Sequence, residues 1–238
     1  IARTWVAARF SGAKAKGAPA TADANTADDA VCRAFYKLRE AALRVGIDFR
    51  GRALDVGASP GGWTSYLART CSHVIAVDPG IVSKPADAPS CTVEIVNAKI
   101  LEALPLLAAR GERLDAFVCD MNGRPDYTLD AFGAALSLLV PGAAVVLTLK
   151  NVFQRQAGKW KSVVEEALER LRRHADDVRC VHLLANTKHE LTVTGHARAL
   201  AGGAQPPPPT PPFTPPPSPP PYDYKRDQAL QKRLADEV

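Results

Sequence analysis

Apolar positions along the chain recur in two rhythms, and the change from one to the other marks where a sheet begins. Val31, Phe35, Leu38, Ala42 and Val45 fall at three- and four-residue intervals and make one helical stripe. Ahead of it, Thr26-Ala27-Asp28-Asp29 offers a capping residue with a carboxylate three positions on, and Gly46 ends the helix. Lys37 lies one position from the stripe, at the helix's border. Beyond Gly46, apolar runs of strand length occupy 53–56, 74–77, 92–96, 114–119, 143–149, 178–184 and 191–194. Helical segments are predicted over 62–70, 99–110, 127–139 and 158–174, with a short loop-rich link at 80–90. Strand and helix in alternation predict an α/β fold with a mainly parallel sheet covered on both faces. Residues 185–190, which separate the last two runs, are too few for a crossover helix, so those runs predict an antiparallel pair at one edge.

The flanks follow neither rhythm. Residues 1–25 read as a basic, flexible arm, with Arg3, Arg9, Lys14 and Lys16 and no acid before Asp23. That composition matches the end of an organelle transit peptide or a plain basic tail, which leaves a mitochondrion or chloroplast, the cytoplasm and the nucleus all open as locations. Residues 26–200 form the expected folded domain. From Ala201 the composition changes: twelve of the twenty prolines fall between Pro206 and Pro221, which predicts extended polyproline II, and 227–237 carries alternating charges suited to a short helix. This tail, 201–238, reads as a tether, as a ligand for an aromatic-lined groove or as an inert extension.

With 238 residues and 46% apolar composition, one substantial core is expected. No run of about 18 apolar residues occurs, so no membrane helix is expected. The five cysteines (Cys32, Cys71, Cys91, Cys119, Cys180) are scattered and form no CxxC pair, which predicts free thiols. His73, His174, His182, His189 and His196 lack metal-ligand spacing, and no metal is expected. A net charge of +5 suits a polyanionic partner without establishing one.

Candidate chemistry centres on Asp55-Val56-Gly57-Ala58-Ser59-Pro60-Gly61-Gly62-Trp63, an apolar run ending in a glycine-rich bend and a helix start. The pattern is Gly-x-x-x-Gly-Gly, not the Gly-x-Gly-x-x-Gly of dinucleotide sites. About twenty residues on, the next strand ends in Asp78, placed to accept the ribose hydroxyls of an adenosine. Asn97, after the third strand, reads either as a contact to adenine or as an ordinary turn residue.

The stretch 55–63 resembles the first motif of the FtsJ-type ribose 2′-O-methyltransferases, and the similarity extends through most of 28–198. Phe117-Val118-Cys119-Asp120-Met121, Leu147-Thr148-Leu149-Lys150 and His189-Glu190-Leu191-Thr192-Val193 look most like the bacterial members that methylate a cytidine ribose in large-subunit ribosomal RNA. Those members carry a large RNA-binding region before the catalytic domain, and this chain has only the short arm there. The resemblance implies a Rossmann-like methyltransferase fold, a seven-stranded, mostly parallel sheet with an antiparallel edge hairpin. It also implies S-adenosylmethionine as cofactor, held by Asp55, Gly57, Ala58, Ser59, Pro60, Gly61, Gly62, Trp63, Asp78, Asn97 and Asp120. The catalytic tetrad that it implies is Lys37, Asp120, Lys150 and Glu190.

Those residue types suit the reaction. A ribose 2′-hydroxyl is a weak nucleophile until its proton is taken or polarised, and a neutral lysine can take it once its pKa, ordinarily about 10.4, has fallen. Lys37 beside Lys150 is expected to depress their titration, with Asp120 orienting Lys150 and Glu190 holding Lys37 or the substrate hydroxyl. Lys150 is assigned as general base. Taken singly, a surface lysine, a strand-end ion pair and a strand-starting glutamate explain the same residues.

For RNA, expected to be ribosomal, Arg33, Lys37, Arg124, Arg155, Lys159, Lys161 and Lys188 lie near the expected carboxyl face, where phosphate contacts would give affinity without sequence choice. Trp160 reads either as a base-stacking ring or as an aromatic packed on the sheet. A ribosome assembly intermediate could present the substrate. The rival reading is a non-catalytic ribosome-associated or assembly protein that retains the fold.

Overall fold

The computed structural model describes residues 33–199, apart from 86, 87, 89 and 154–156. The basic arm, the start of the first helix and the proline-rich tail lie outside the described residues. Helix α1 (Arg33–Val45) leads into β1 (Arg52–Val56), α2 (Gly62–Leu67), β2 (His73–Val77), β3 (Thr92–Val96), α3 (Ile100–Ala109), β4 (Leu114–Cys119) and α4 (Pro125–Ala135). A 3-10 turn, Leu136–Leu138, then leads into β5 (Leu139–Lys150), followed by α5 (Ala157–His174), β6 (Ala175–Val181) and β7 (Glu190–Ala197). The seven strands form one sheet in the order β3-β2-β1-β4-β5-β7-β6. The first five are parallel, and β7 runs antiparallel to both β5 and β6.

Strand side chains alternate between faces, and both faces of this sheet are dry. Leu54, Val56, Phe117, Cys119, Leu147 and Leu149 share one apolar cluster with residues of α3, α4 and α5. Ala53, Val74, Ala116, Val118, Ala144 and Val146 share the other with Leu38 and Ala41 of α1 and Trp63 and Leu67 of α2. Continuous burial of the middle strands explains why they read as unbroken apolar runs.

Element limits depart from the pattern where other constraints act. Helix α4 starts at Pro125, whose missing N–H costs nothing in a first turn, and ends at Ala135 instead of 139. Leu139 already pairs with Leu114, and the register then jumps so that Ala144 faces Ala116. Exposed Pro141 and Gly142, at φ 83°, lie within this irregularity, so β5 begins four residues before the apolar run at 143. Helix α2 stops at Leu67, and the N–H groups of Thr70 and Cys71 both turn back to the Leu67 carbonyl.

The sixth strand shifts most. It runs Ala175–Val181 rather than 178–184, because α5 passes straight into it, with Asp177 at φ 51° beside a register shift. The apolar residues 183–184 leave the sheet: Leu183 is fully buried in the α1-side cluster, while Leu184 is 88% exposed. The last strand is longer than its apolar run, Glu190–Ala197 rather than 191–194.

Candidate active site

Three of the four expected catalytic residues sit on adjacent strands. Asp120 directly follows β4, Lys150 ends β5 and Glu190 begins β7, directly across from Lys150 in the ladder. Counting by twos from Ala116, Val118, Ala144 and Val146 puts Asp120 and Lys150 on the sheet face that α1 and α2 cover. Helix α1 lies on that face and supplies Lys37. Its placement is deeper than a border position suggests: Lys37 is only 3% exposed.

The four side chains close into a ring of alternating charge. Lys37 Nζ donates to Asp120 at 2.8 Å (Oδ2) and 3.1 Å (Oδ1), and lies 3.2 Å from Glu190 Oε2. Lys150 Nζ donates to Asp120 Oδ1 at 2.8 Å and Glu190 Oε1 at 2.7 Å. The backbone N–H of Thr187 also donates to Glu190 Oε2 at 2.9 Å. Lys150, at 17% side-chain exposure, is the most accessible of the four.

This ring corrects one electrostatic expectation. Each lysine meets two carboxylates, so repulsion between ammonium groups does not set the balance. Burial pulls the Lys150 pKa down, but the Asp120 charge and hydrogen bonds from Asp120 and Glu190 outweigh it and hold Lys150 above the ordinary lysine value. For Glu190, burial is the largest single influence and raises the carboxyl. Hydrogen bonds from Lys150 and the Thr187 amide, with the charges of Lys37 and Lys150, override it and bring the group down to about 2.

The glycine-rich bend lies beside the ring. Gly57 has φ 76°, and a Cβ there would meet the Met121 backbone at 2.7 Å; Gly61 has φ 122°, and a Cβ there would meet the Ser83 carbonyl oxygen at 2.6 Å. Both glycines are therefore demanded by the loop's own packing. Asp78 braces the same loop, accepting from the Ser59 amide at 3.2 Å and the Gly80 amide at 2.6 Å. Ser59 Oγ donates to the Ile81 carbonyl, and Pro60 beside it is exposed. Ala58 is buried in a small cluster with Ala76 and Val82, and Gly62 opens α2. Asn97 holds the turn after β2 through the Pro79 and Gly80 carbonyls, each at 3.3 Å. Trp63 is 3% exposed, and its ring packs in the α1-side core.

Asp55 is fully buried at the bend. Thr64 Oγ1 donates to its Oδ2 at 2.6 Å, and its Oδ1 has no partner. Burial, aided by the charges of Asp120 and Asp78 and opposed by the Thr64 hydrogen bond, pushes its carboxyl up to about 7. An unsatisfied buried acceptor at a glycine bend, with a second carboxylate at the next strand end, fits a ligand carrying a cationic amine and a vicinal diol. Thr64 had no signal in the sequence, since nothing in the motif ties it to Asp55.

Among the basic residues named for RNA, Lys37 is committed to the ring. Arg33, Arg124, Lys159, Lys161 and Lys188 are exposed, and Arg155 lies outside the described residues. Arg124 pairs with Asp126, Lys161 lies 3.8 Å from Glu165, and Lys159 sits over the Phe153 ring at 4.8 Å. Trp160 is partly buried against the α3–α5 side core. An open concavity of about 200 Å³ lies at the other end of the same strands, but its Arg50 pairs with Asp48 and its Asp115 accepts from the Arg52 amide. Among the described residues no group of three or more His, Cys, Asp and Glu is arranged to hold a metal, and no helix is long and apolar enough to cross a membrane.

Comparison with known proteins agrees with this fold. Ribosomal RNA large subunit methyltransferase M of Alkalilimnicola ehrlichii is 37% identical over 87 residues, covering 37% of this chain and 21% of the relative. Its namesake in Alteromonas mediterranea is 36% identical over 83 residues, covering 35% and 21%. The matched stretch thus spans about a fifth of the length of these relatives. The fibrillarin pre-rRNA processing protein of Methanococcus jannaschii shares the fold, with a TM-score of 0.51 at 17% identity over 64% of this chain and 69% of that one. The family model described as FtsJ-like methyltransferase matches residues 30–184, most of the described fold and every residue of the site but Glu190, and the chain belongs to that family.

Proposed function

We propose that the chain is an S-adenosylmethionine-dependent RNA ribose 2′-O-methyltransferase acting on ribosomal RNA. The observation that carries this reading is the closed Lys37-Asp120-Lys150-Glu190 ring beside the glycine-rich bend. Methylation of an acidic or already nucleophilic atom needs no such array, whereas a ribose hydroxyl needs a positioned proton acceptor. The names of the relatives support ribosomal RNA as the substrate class.

Asp55 and Asp78 would hold the cofactor, Asp55 through its unpaired buried oxygen and Asp78 from the end of β2. When bound, S-adenosylmethionine supplies an electrophilic methyl group. Lys150 Nζ would take the proton of the ribose 2′-hydroxyl, leaving the oxygen able to accept the methyl group that the cofactor would supply. Asp120 and Glu190 aim Lys150, and Lys37 fixes both carboxylates from the other side. Exposed Arg33, Lys159 and Lys188 supply phosphate contacts.

Incubating the chain with methyl-labelled S-adenosylmethionine and ribosomal RNA, then mapping ribose methylation, tests the reading. Label on a 2′-oxygen is expected; label confined to bases, or none with cofactor bound, rejects it and favours the non-catalytic ribosome-associated alternative. The ring also sets a pH dependence. Because Lys150 is held charged, its neutral form is scarce near pH 7, and the single-turnover rate should climb roughly tenfold per pH unit below its raised pKa. Glu190→Gln removes one of the groups that raise that pKa, so the climb should level off at a lower pH than in the wild type. A profile left in place by Glu190→Gln removes Lys150 from the proton transfer.

A further inference from the structure

The ring depends on a contact that holds a helix against a loop, and the residue making it stands one turn from Lys37. Glu190 belongs to β7, but the link before it, 182–189, is tied elsewhere. Glu40 on α1 accepts the backbone N–H of Leu184 at 2.8 Å (Oε1) and of Ala185 at 3.0 Å (Oε2). Arg44, a further turn along, pairs with Glu40 at 2.6 Å and donates to the His182 carbonyl at 3.3 Å. Leu183, between the His182 carbonyl and those amides, is fully buried in the cluster containing Leu38 and Ala41 of α1. The following turn then positions Glu190, through the Thr187 amide to its Oε2.

Lys37 and Glu40 are three residues apart, so one helix face carries both the ring lysine and the clamp on the link. We propose that Glu40 is a positioning residue: it fixes α1 relative to the 182–189 link and thereby sets the Lys37 to Glu190 side of the ring. The step to catalysis rests on the ribose methyltransferase reading. No backbone group of the helix can replace Glu40, because both link amides point at its carboxylate and no other acceptor for them is present among the described residues. Glutamine keeps the length but turns a donor toward one amide.

Glu40→Gln, Glu190→Gln and the double variant in the full chain test this. The expected results are S-adenosylmethionine affinity within twofold of wild type, a fall in kcat of about tenfold for Glu40→Gln, and less than a twofold further fall when Glu40→Gln is added to Glu190→Gln. A merely destabilising substitution would multiply the two losses, and that outcome, or a wild-type kcat in Glu40→Gln, overturns the proposal. Amide exchange at 184–190 separates this claim from the reaction. If the wild-type chain transfers no methyl group to RNA, the ribose reading falls. The positioning claim then stands if Glu40→Gln speeds exchange at Thr187 and Glu190 as well as at Leu184 and Ala185, and is overturned if only the latter pair responds.

Discussion

On the proposed reading, Lys150→Ala is expected to lower methyl transfer to RNA by roughly a hundred- to ten-thousandfold, the usual contribution of a positioned general base, with S-adenosylmethionine affinity within a few-fold of wild type. The asymmetry follows from geometry. Among the described residues Lys150 Nζ hydrogen-bonds Asp120 and Glu190, whereas the bend is held by Asp78, Ser59 and the backbone of Met121 and Ser83. Loss of the ammonium leaves Asp120 and Glu190 facing Lys37 alone. Both carboxylates keep some solvent contact, at 13% and 9% exposure, so a stability loss of about 1–3 kcal/mol is expected and the chain remains folded.

Lys150→Arg is the sharper variant. A guanidinium keeps the two ionic contacts but stays protonated at any working pH, so it preserves charge and removes the proton acceptor. Transfer by Lys150→Arg should be as poor as by Lys150→Ala, measured in a single turnover with cofactor saturating. If the arginine variant works within tenfold of wild type, the ring acts only by electrostatics and Lys150 is no base.

Much of this site was legible because the fold places chemistry at the ends of apolar runs. Asp120 and Lys150 each terminate such a run, and strands with buried faces leave their carboxyl ends as the natural place for polar groups. Glu190 was legible as a residue but not as a partner. Its register opposite Lys150 depends on β7 lying between β5 and β6, while the apolar pattern misplaced β6 by three residues. That pattern failed because Asp176, Asp177 and Arg179 sit on an exposed edge strand, while Leu183 is apolar for the sake of α1. The burial of the Trp63 ring was not legible either, because position within a motif says nothing about which way a ring turns. The raised pKa of Lys150 was equally hidden, since it depends on two carboxylates lying between the lysines. Glu40 and Thr64 left no pattern, because their partners are link amides and a residue nine positions away in a different element.

Asp55→Asn is expected to flatten a pH dependence of stability and, on the proposed reading, to weaken cofactor binding with the same change. Asp55 is pushed from 3.8 up to about 7 in the folded chain, so between those values the folded state holds a proton that the unfolded state has released. Stability from this group is therefore full below about pH 4 and falls as pH rises toward 7 and beyond. His73 works in the opposite sense: burial and Arg52 lower its pKa, so it favours the folded state as pH rises through the ordinary histidine range. That contribution is common to both proteins and cancels in their difference. Denaturant unfolding at pH 4 and pH 8 should show stability shifting in favour of Asp55→Asn by about 2–4 kcal/mol between the two, and parallel curves would mean that Asp55 is already ionised when folded. A buried carboxylate costs the free protein stability at the pH where an amine-bearing ligand needs it charged. The variant should thus bind S-adenosylmethionine at least about tenfold more weakly at pH 8, with the deficit shrinking toward pH 6, where the wild-type carboxyl is itself protonated.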